Sequence, residues 1–293
     1  MDIKTFGIVG TGRSARVIAE LAAFKGYDVI VWGEQEGEFD SFRKAVDSSL
    51  QQKIDRWAIT SAEKKVTVAR IELTTDLTKL ADADFVIETL VTDVEYVNAH
   101  FTRLDEICKP ETILASNTST LSITEFGAHT MRPDRVIGVH FMHPVTQTQV
   151  VEIARGLKTS DAVVATVRQL IESLGRTPVE SYESIGLITS RLLVPLVNEA
   201  CAMLMEGVAA PEEIDKAIRV GFSMPAGPLE MADRMGLDTF VVICERMWHE
   251  TGDNRYRPAP NLKKLARAGL LGAETGEGFF RYDGNGARIK EGK

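Results

Sequence analysis

The first half of the chain alternates two patterns. Short runs rich in Val, Ile and Phe lie at residues 5–9, 28–32, 71–74, 85–88, 112–116 and 135–142. Their length and β-branched content read as strands. Between them come amphipathic stretches such as 13–25 and 39–57, where apolar residues recur every three to four positions. Strands separated by helices imply right-handed crossovers, and hence an α/β fold with a mostly parallel sheet covered on both faces. A further short strand is expected at 150–153 and a helix at 162–174. Beyond Ser184 the alternation stops and long helical patterns take over, at 188–206, 211–220, 228–251 and 260–268. The reading is therefore an α/β domain over 1–183, followed by an all-α domain over 184–293. The polar tail from residue 285 onward is expected to fray.

Composition narrows the function classes. A chain of 293 residues with 44% hydrophobic and 26% charged positions suits two domains with real cores. The net charge of −8 argues against a nucleic-acid partner. No apolar run approaches the roughly 18–20 residues of a membrane helix, so no membrane association is expected. The opening MDIKTFGIVG enters a strand directly, without the pattern of a signal peptide, which points to a cytoplasmic protein. Cys108, Cys201 and Cys244 are widely spaced and odd in number, indicating neither a disulfide framework nor a metal site.

Candidate chemistry begins at the first strand. In Gly7-Ile-Val-Gly10-Thr-Gly12-Arg-Ser-Ala15, Gly10 allows a tight turn and Gly12 lets a pyrophosphate approach the backbone. The small Ala15 lets the following helix pack on its strand, and that helix presents its N-terminus to negative charge. The second strand should end in an acid that bonds the adenine ribose. Gly33 stands there instead; Glu34, one place later, is the acid expected to reach the ribose, with Gln35 beside it. A solvated loop acid is the other reading of Glu34. No Arg follows to hold a 2′-phosphate, so the expected cofactor is NAD.

His140 falls at the carboxyl end of a predicted strand, where ligands of open α/β sheets bind. Oxidation of a secondary alcohol by hydride transfer needs a base for the hydroxyl proton, and imidazole titrates near neutral pH. Glu152, on the next short strand, could accept the other imidazole N–H if it points the same way. From these residues alone, a satisfied core histidine remains the alternative.

Longer stretches carry a family resemblance. They are Ile113-Leu-Ala-Ser116-Asn117-Thr118-Ser119-Thr120-Leu121, Arg132-Pro-Asp-Arg-Val-Ile-Gly-Val-His140-Phe-Met-His143-Pro144 and Val151-Glu152-Ile153. Further along come Gly207-Val-Ala, Glu213-Ile-Asp215, Pro225-Ala-Gly-Pro228-Leu229, Asp233-Arg-Met-Gly-Leu-Asp238, Tyr256-Arg-Pro-Ala-Pro260 and Thr275-Gly-Glu-Gly278-Phe279. In order and spacing, from about residue 5 to residue 283, the chain resembles the 3-hydroxyacyl-CoA dehydrogenase family. The resemblance implies a Rossmann-type domain with a doubly wound, mostly parallel sheet, a homodimer joined through the helical domain that follows it, an active site between the two domains, and a place in fatty acid metabolism. It implies NAD as cofactor and the CoA thioester of a 3-hydroxy acid as substrate. His140 and Glu152 fall on the family's catalytic pair, and Ser119 on the serine that bonds the reacting oxygen. Asn117 is expected to bond backbone or cofactor. Ser49 and Arg56, seven apart and so on one helix face, resemble the residues that touch the phosphate-bearing end of CoA.

The departures are specific. The family's substrate-contacting Asn is Ser190 here, and the usual Asn before Pro144 is His143. On the cofactor side, Thr92 and Val97 replace a Glu and a Lys, Glu274 replaces a Lys, and Gly33 lacks the acid. The expectation is retained hydride chemistry with an altered cofactor grip or substrate, His143 being a candidate reader of an extra carboxylate or phosphate. An acyl-carrier-protein thioester or a free hydroxy acid is the alternative substrate. A non-catalytic nucleotide-binding or structural paralogue is the alternative of another class. Leu192, Leu193, Leu196, Met203 and Leu204 of the helical domain read as core or dimer seam.

Overall fold

The computed structural model describes residues 3–90, 93–142, 145, 148–284 and 286–289. The chain divides into two compact units, residues 1–184 and 185–293.

In the first unit, the described residues form an eight-stranded sheet of β1 (Thr5–Val9), β2 (Asp28–Trp32), β3 (Ile71–Thr74), β4 (Phe85–Glu88), β5 (Ile113–Ser116), β6 (Val136–Phe141), β7 (Val150–Arg155) and β8 (Thr177–Tyr182). The spatial order is β3-β2-β1-β4-β5-β6-β7-β8. The first six strands are parallel, with the order reversing between β1 and β4, the switch point where doubly wound sheets bind ligands. Helices α1 (Arg13–Phe24), α2 (Phe39–Asp55), α3 (Ser61–Ala69), α4 (Val94–Ile107), α5 (Ile123–Ala128) and α6 (Asp161–Ser173) link the strands. All of β4, β5 and β6 is buried, as expected of strands covered on both faces.

Two features depart from the parallel expectation. β7 runs antiparallel to β6, and β8, unforeseen in the sequence, pairs parallel with β7. The link over 142–149 is too short for a crossover between parallel strands, so β7 folds back on β6. β8 escaped notice because it is an edge strand: TPVESY is half exposed and lacks an apolar alternation.

The seam between β6 and β7 is close-packed at Gly138. A Cβ there would stand 2.8 Å from the Ala154 Cβ and 3.1 Å from Ile123 carbons. Gly138→Ala is expected to cost about 1–3 kcal/mol, the usual penalty of overpacking, seen as a lower urea midpoint. An unchanged midpoint would mean the seam yields freely.

The second unit is helical: α7 (Thr189–Met205), α8 (Pro211–Gly221), α9 (Pro228–Met235), α10 (Leu237–Thr251) and α11 (Pro260–Arg267). Val197, Cys201, Leu229, Phe240, Met247 and Leu262 are among its core. The continuous helix expected over 228–251 is broken. Gly236 adopts φ 96°, outside helical space, and Leu237 N–H leaves to donate to the Leu271 carbonyl. Asp215 caps α9, its two oxygens accepting from Leu229 and Glu230 N–H at 2.9 Å each. Leu193, Leu196, Met203 and Leu204 are partly buried, whereas Leu192 is 71% exposed.

Candidate active site

The turn after β1 is built to receive an anion. Gly10 has φ 109°, a left-handed conformation that favours glycine, and its N–H donates to the Trp32 carbonyl. Gly12 is the N-cap of α1 in an extended conformation, with no side chain capping the helix. A Cβ on Gly12 would meet nothing within 4 Å, so the backbone faces open space. Ala15 is fully buried against the sheet. A cavity of about 430 Å³ opens here, lined by Gly10, Gly12, Trp32, Glu34, Leu90 and Tyr96 among others. Backbone donors at the positive end of a helix, beside an open cavity with aromatic walls, fit the pyrophosphate and adenosine of a dinucleotide.

The acidic side of that cavity holds the expected Glu34 and one acid more. Glu34 lines it and is exposed; Gln35, also exposed, precedes a short 3₁₀ turn, Glu36–Glu38. Glu38 lines it too, and the Thr11 hydroxyl donates to its Oε2 at 2.5 Å. The sequence reading missed Glu38, since the ribose acid was sought next to the strand rather than after an intervening turn. Its place directly before the amphipathic α2 was the available signal.

At the same carboxyl end of the parallel strands, the antiparallel register of β7 sets His140 directly opposite Glu152. Directly opposed side chains lie on one face with Cβ atoms about 5 Å apart. His140 Nδ1 is 2.8 Å from Glu152 Oε2; Glu152 is fully buried and the imidazole keeps 11% exposure. A carboxylate there accepts the Nδ1–H, which leaves the lone pair on Nε2.

The loop after β5 is tied to the same strand ends. Asn117 Oδ1 accepts from Phe141 N–H at 2.9 Å, so Asn117 bonds the backbone next to His140. The Ser116 hydroxyl donates to buried Glu88 at 2.6 Å, and Asn117 N–H donates to the Glu88 carbonyl at 2.8 Å. Thr118 Oγ1 then accepts from Thr120 and Leu121 N–H, which curls the loop. Ser119 is buried within that curl. Ser116 pairs with Gly138 across β5 and β6, so Ser119, past the end of β5, and His140, near the end of β6, lie at the same end of neighbouring parallel strands.

The remaining candidates stand on other elements. Ser49 is half buried on α2, whereas Arg56 is exposed just past its last residue, so the shared helix face ends at Asp55. Ser190 is buried on the first turn of α7 in the second unit. Val97 is fully buried in α4, and Glu274 is exposed. His143 and Thr92 lie outside the described residues. The three cysteines are free and buried; burial pushes Cys108 up to about 11 and Cys201 up to about 12, so neither is a ready thiolate. Among the described residues no group of three or more His, Cys, Asp or Glu could hold a metal, and no helix is long and apolar enough to cross a membrane.

Comparison with known proteins gives a consistent result. Residues 5–184 match the NAD binding domain of 3-hydroxyacyl-CoA dehydrogenase, and residues 186–282 match its C-terminal domain. The probable 3-hydroxybutyryl-CoA dehydrogenase of Deinococcus radiodurans is 42% identical over 277 residues, covering 94% of this chain and 99% of that one. The crystal structure of M. tuberculosis FadB2 superimposes with a TM-score of 0.92 at 35% identity, covering 97% of this chain and all of that one. That of (S)-3-hydroxybutyryl-CoA dehydrogenase from Ralstonia eutropha gives 0.85 at 38% identity, covering 96% and 100%.

Proposed function

The chain belongs to the 3-hydroxyacyl-CoA dehydrogenase family, and we propose that its reaction is the interconversion of a short-chain 3-hydroxyacyl-CoA and the matching 3-ketoacyl-CoA. It is an oxidoreductase acting on CH–OH, with NAD bound at the turn of Gly10, Gly12 and Ala15. The observation that carries the reading is the cross-strand pair of His140 and Glu152, 2.8 Å apart at the carboxyl end of β6.

Bound NAD supplies the hydride acceptor for the C3 hydrogen. The hydroxyl proton goes to His140 Nε2, so that the alcohol loses one hydride and one proton and becomes a ketone. Glu152 holds the Nδ1–H tautomer and offsets the charge of the imidazolium that forms. The Ser119 hydroxyl donates to the substrate oxygen as negative charge builds there, and Ser190 helps position the substrate. Asn117 supports the base through the Phe141 backbone. Glu34 and Gln35 border the adenosine end of the cavity. Ser49 and Arg56 serve the phosphate-bearing end of CoA, where the guanidinium fork suits phosphate. His143 is assigned to substrate binding as well.

Exposed Leu192, Val208, Val220 and Phe222 in the helical unit support a homodimer through that unit. Free thiols favour a reducing, cytoplasmic setting, and the thioester chemistry suits fatty acid metabolism. The acidic chain has no assigned nucleic-acid, membrane or metal partner.

The test is consumption of NADH by the purified protein with acetoacetyl-CoA, run beside an NADPH arm. Turnover with NADH at least about tenfold faster than with NADPH is expected. If neither cofactor turns over, the CoA-thioester reading fails; an acyl-carrier-protein thioester or free 3-keto acid that then reacts would identify the alternative.

A further inference from the structure

We propose that Glu38, supplied by the turn after β2 rather than by the strand end, is the acid that grips the adenosine ribose and selects NAD over NADP. The inference rests on the NAD-dependent reading above and assigns one part of that site. Doubly wound dinucleotide sites need a carboxylate to accept from the ribose hydroxyls near the end of the second strand. Here the strand end cannot carry one. A Cβ at Gly33 would stand 2.6 Å from Thr11 Cγ2 and 2.9 Å from Phe39 Cε1, so a side chain there would have to push aside the Thr11 side chain beside the phosphate turn and the buried Phe39 ring that anchors α2.

The same crowding shows what has taken the place. Glu38 Oε2 lies 3.3 Å from that hypothetical Cβ, which puts its carboxylate where a side chain from position 33 would begin. Thr11, between Gly10 and Gly12, donates to this oxygen at 2.5 Å and so fixes the carboxylate against the phosphate turn. That bond engages one oxygen and leaves the other for the ribose. Glu38 is the N-cap of α2, yet its side chain makes no capping bond to its own helix. Glu34 lines the same cavity, but its charge acts on His100, whose ring packs at a tilt against Trp32 and Tyr96. A 2′-phosphate on the ribose would meet the Glu38 carboxylate at close range, and like charges in a partly desolvated cavity repel.

The experiment is titration of NADH and NADPH, followed by cofactor fluorescence without acyl substrate, into wild type, Glu38→Gln, Glu34→Gln and Glu36→Gln. Glu36 is exposed on the same turn, so its variant controls for net charge. Glu38→Gln is expected to raise the NADH Kd about tenfold or more, as for loss of a charged hydrogen-bond acceptor. It should also shrink the NADH preference over NADPH by a similar factor. Glu36→Gln should stay within twofold, and Glu34→Gln should lose less than a third as much as Glu38→Gln. A Glu38→Gln Kd within twofold of wild type overturns the proposal, as does an equal or larger loss in Glu34→Gln. Because Glu38 is exposed and caps nothing with its side chain, the melting temperature without ligand should not change; a fall in it matching the affinity loss would also overturn the proposal. Wild type that binds neither cofactor would instead refute the NAD-dependent reading itself.

Discussion

Replacing His140 with alanine is expected to lower kcat for ketoacyl-CoA reduction by about 10²–10⁴-fold, the range for loss of a positioned general acid or base. KM should move far less, because loss of an interaction made only in the transition state lowers kcat rather than raising KM. The variant also removes the His140 partner of the fully buried Glu152 carboxylate, so some loss of stability is expected with it. His140→Gln keeps a polar partner within reach of Glu152 and separates the two effects. It should fold and still bind NADH, yet lose kcat by a comparable factor. Glu152→Gln should cost about 10–10²-fold, since an amide at 2.8 Å can accept the Nδ1–H but cannot offset the imidazolium charge. The double variant should be little worse than the worse single one, because the pair works as a unit. Full kcat in His140→Gln would mean that the proton travels by another route.

Replacing Asp233 with asparagine is expected to destabilise the helical unit by about 2–4 kcal/mol at neutral pH. The carboxylate is almost wholly buried and accepts from Phe279 N–H, Phe280 N–H and the Tyr282 hydroxyl at 2.9–3.0 Å. It thereby fastens the 279–282 segment to α9. An amide aims an N–H at donors and cannot satisfy both of its sides. The loss should also depend on pH. Burial pushes Asp233 up to about 6, against the opposing pull of these hydrogen bonds, and the nearby Asp215 charge adds to the rise. A raised carboxyl pKa means that the native state binds more protons than the unfolded chain between about pH 4 and pH 6. Stability from this group is therefore greatest at the acid end of that window, falls as pH rises through it, and is level above it. In the protonated state the Tyr282 hydroxyl turns from donor to acceptor. Urea unfolding of wild type and Asp233→Asn at pH 4.5, 5.5 and 7 should show the gap between them widening as pH falls. A gap constant across the three would mean that Asp233 is not raised.

Much of the fold could be read along the chain because it depends on neighbours in sequence. Strands at 5–9, 28–32, 71–74 and 85–88 and the change to helix beyond Ser184 follow from apolar periodicity. So does the phosphate turn, whose glycines carry their reason in local backbone geometry. His140 at a strand's carboxyl end and Glu152 on the next strand were both candidates on local grounds, and the family resemblance joined them as a pair. What the chain could not declare was which strands become neighbours and in which direction. The antiparallel return of β7 sets His140 opposite Glu152, and the brevity of the 142–149 link was the one local hint of it. The edge strand β8 has too little buried surface to leave a periodic mark. The break at Gly236 is held by a bond to Leu271, 34 positions from the Leu237 N–H that makes it. Glu38 reaches the phosphate turn only once α2 has docked on the sheet and closed the space beside Gly33. Periodicity is a property of a dozen consecutive residues, whereas the partners of buried polar groups are chosen by packing between segments far apart in the chain.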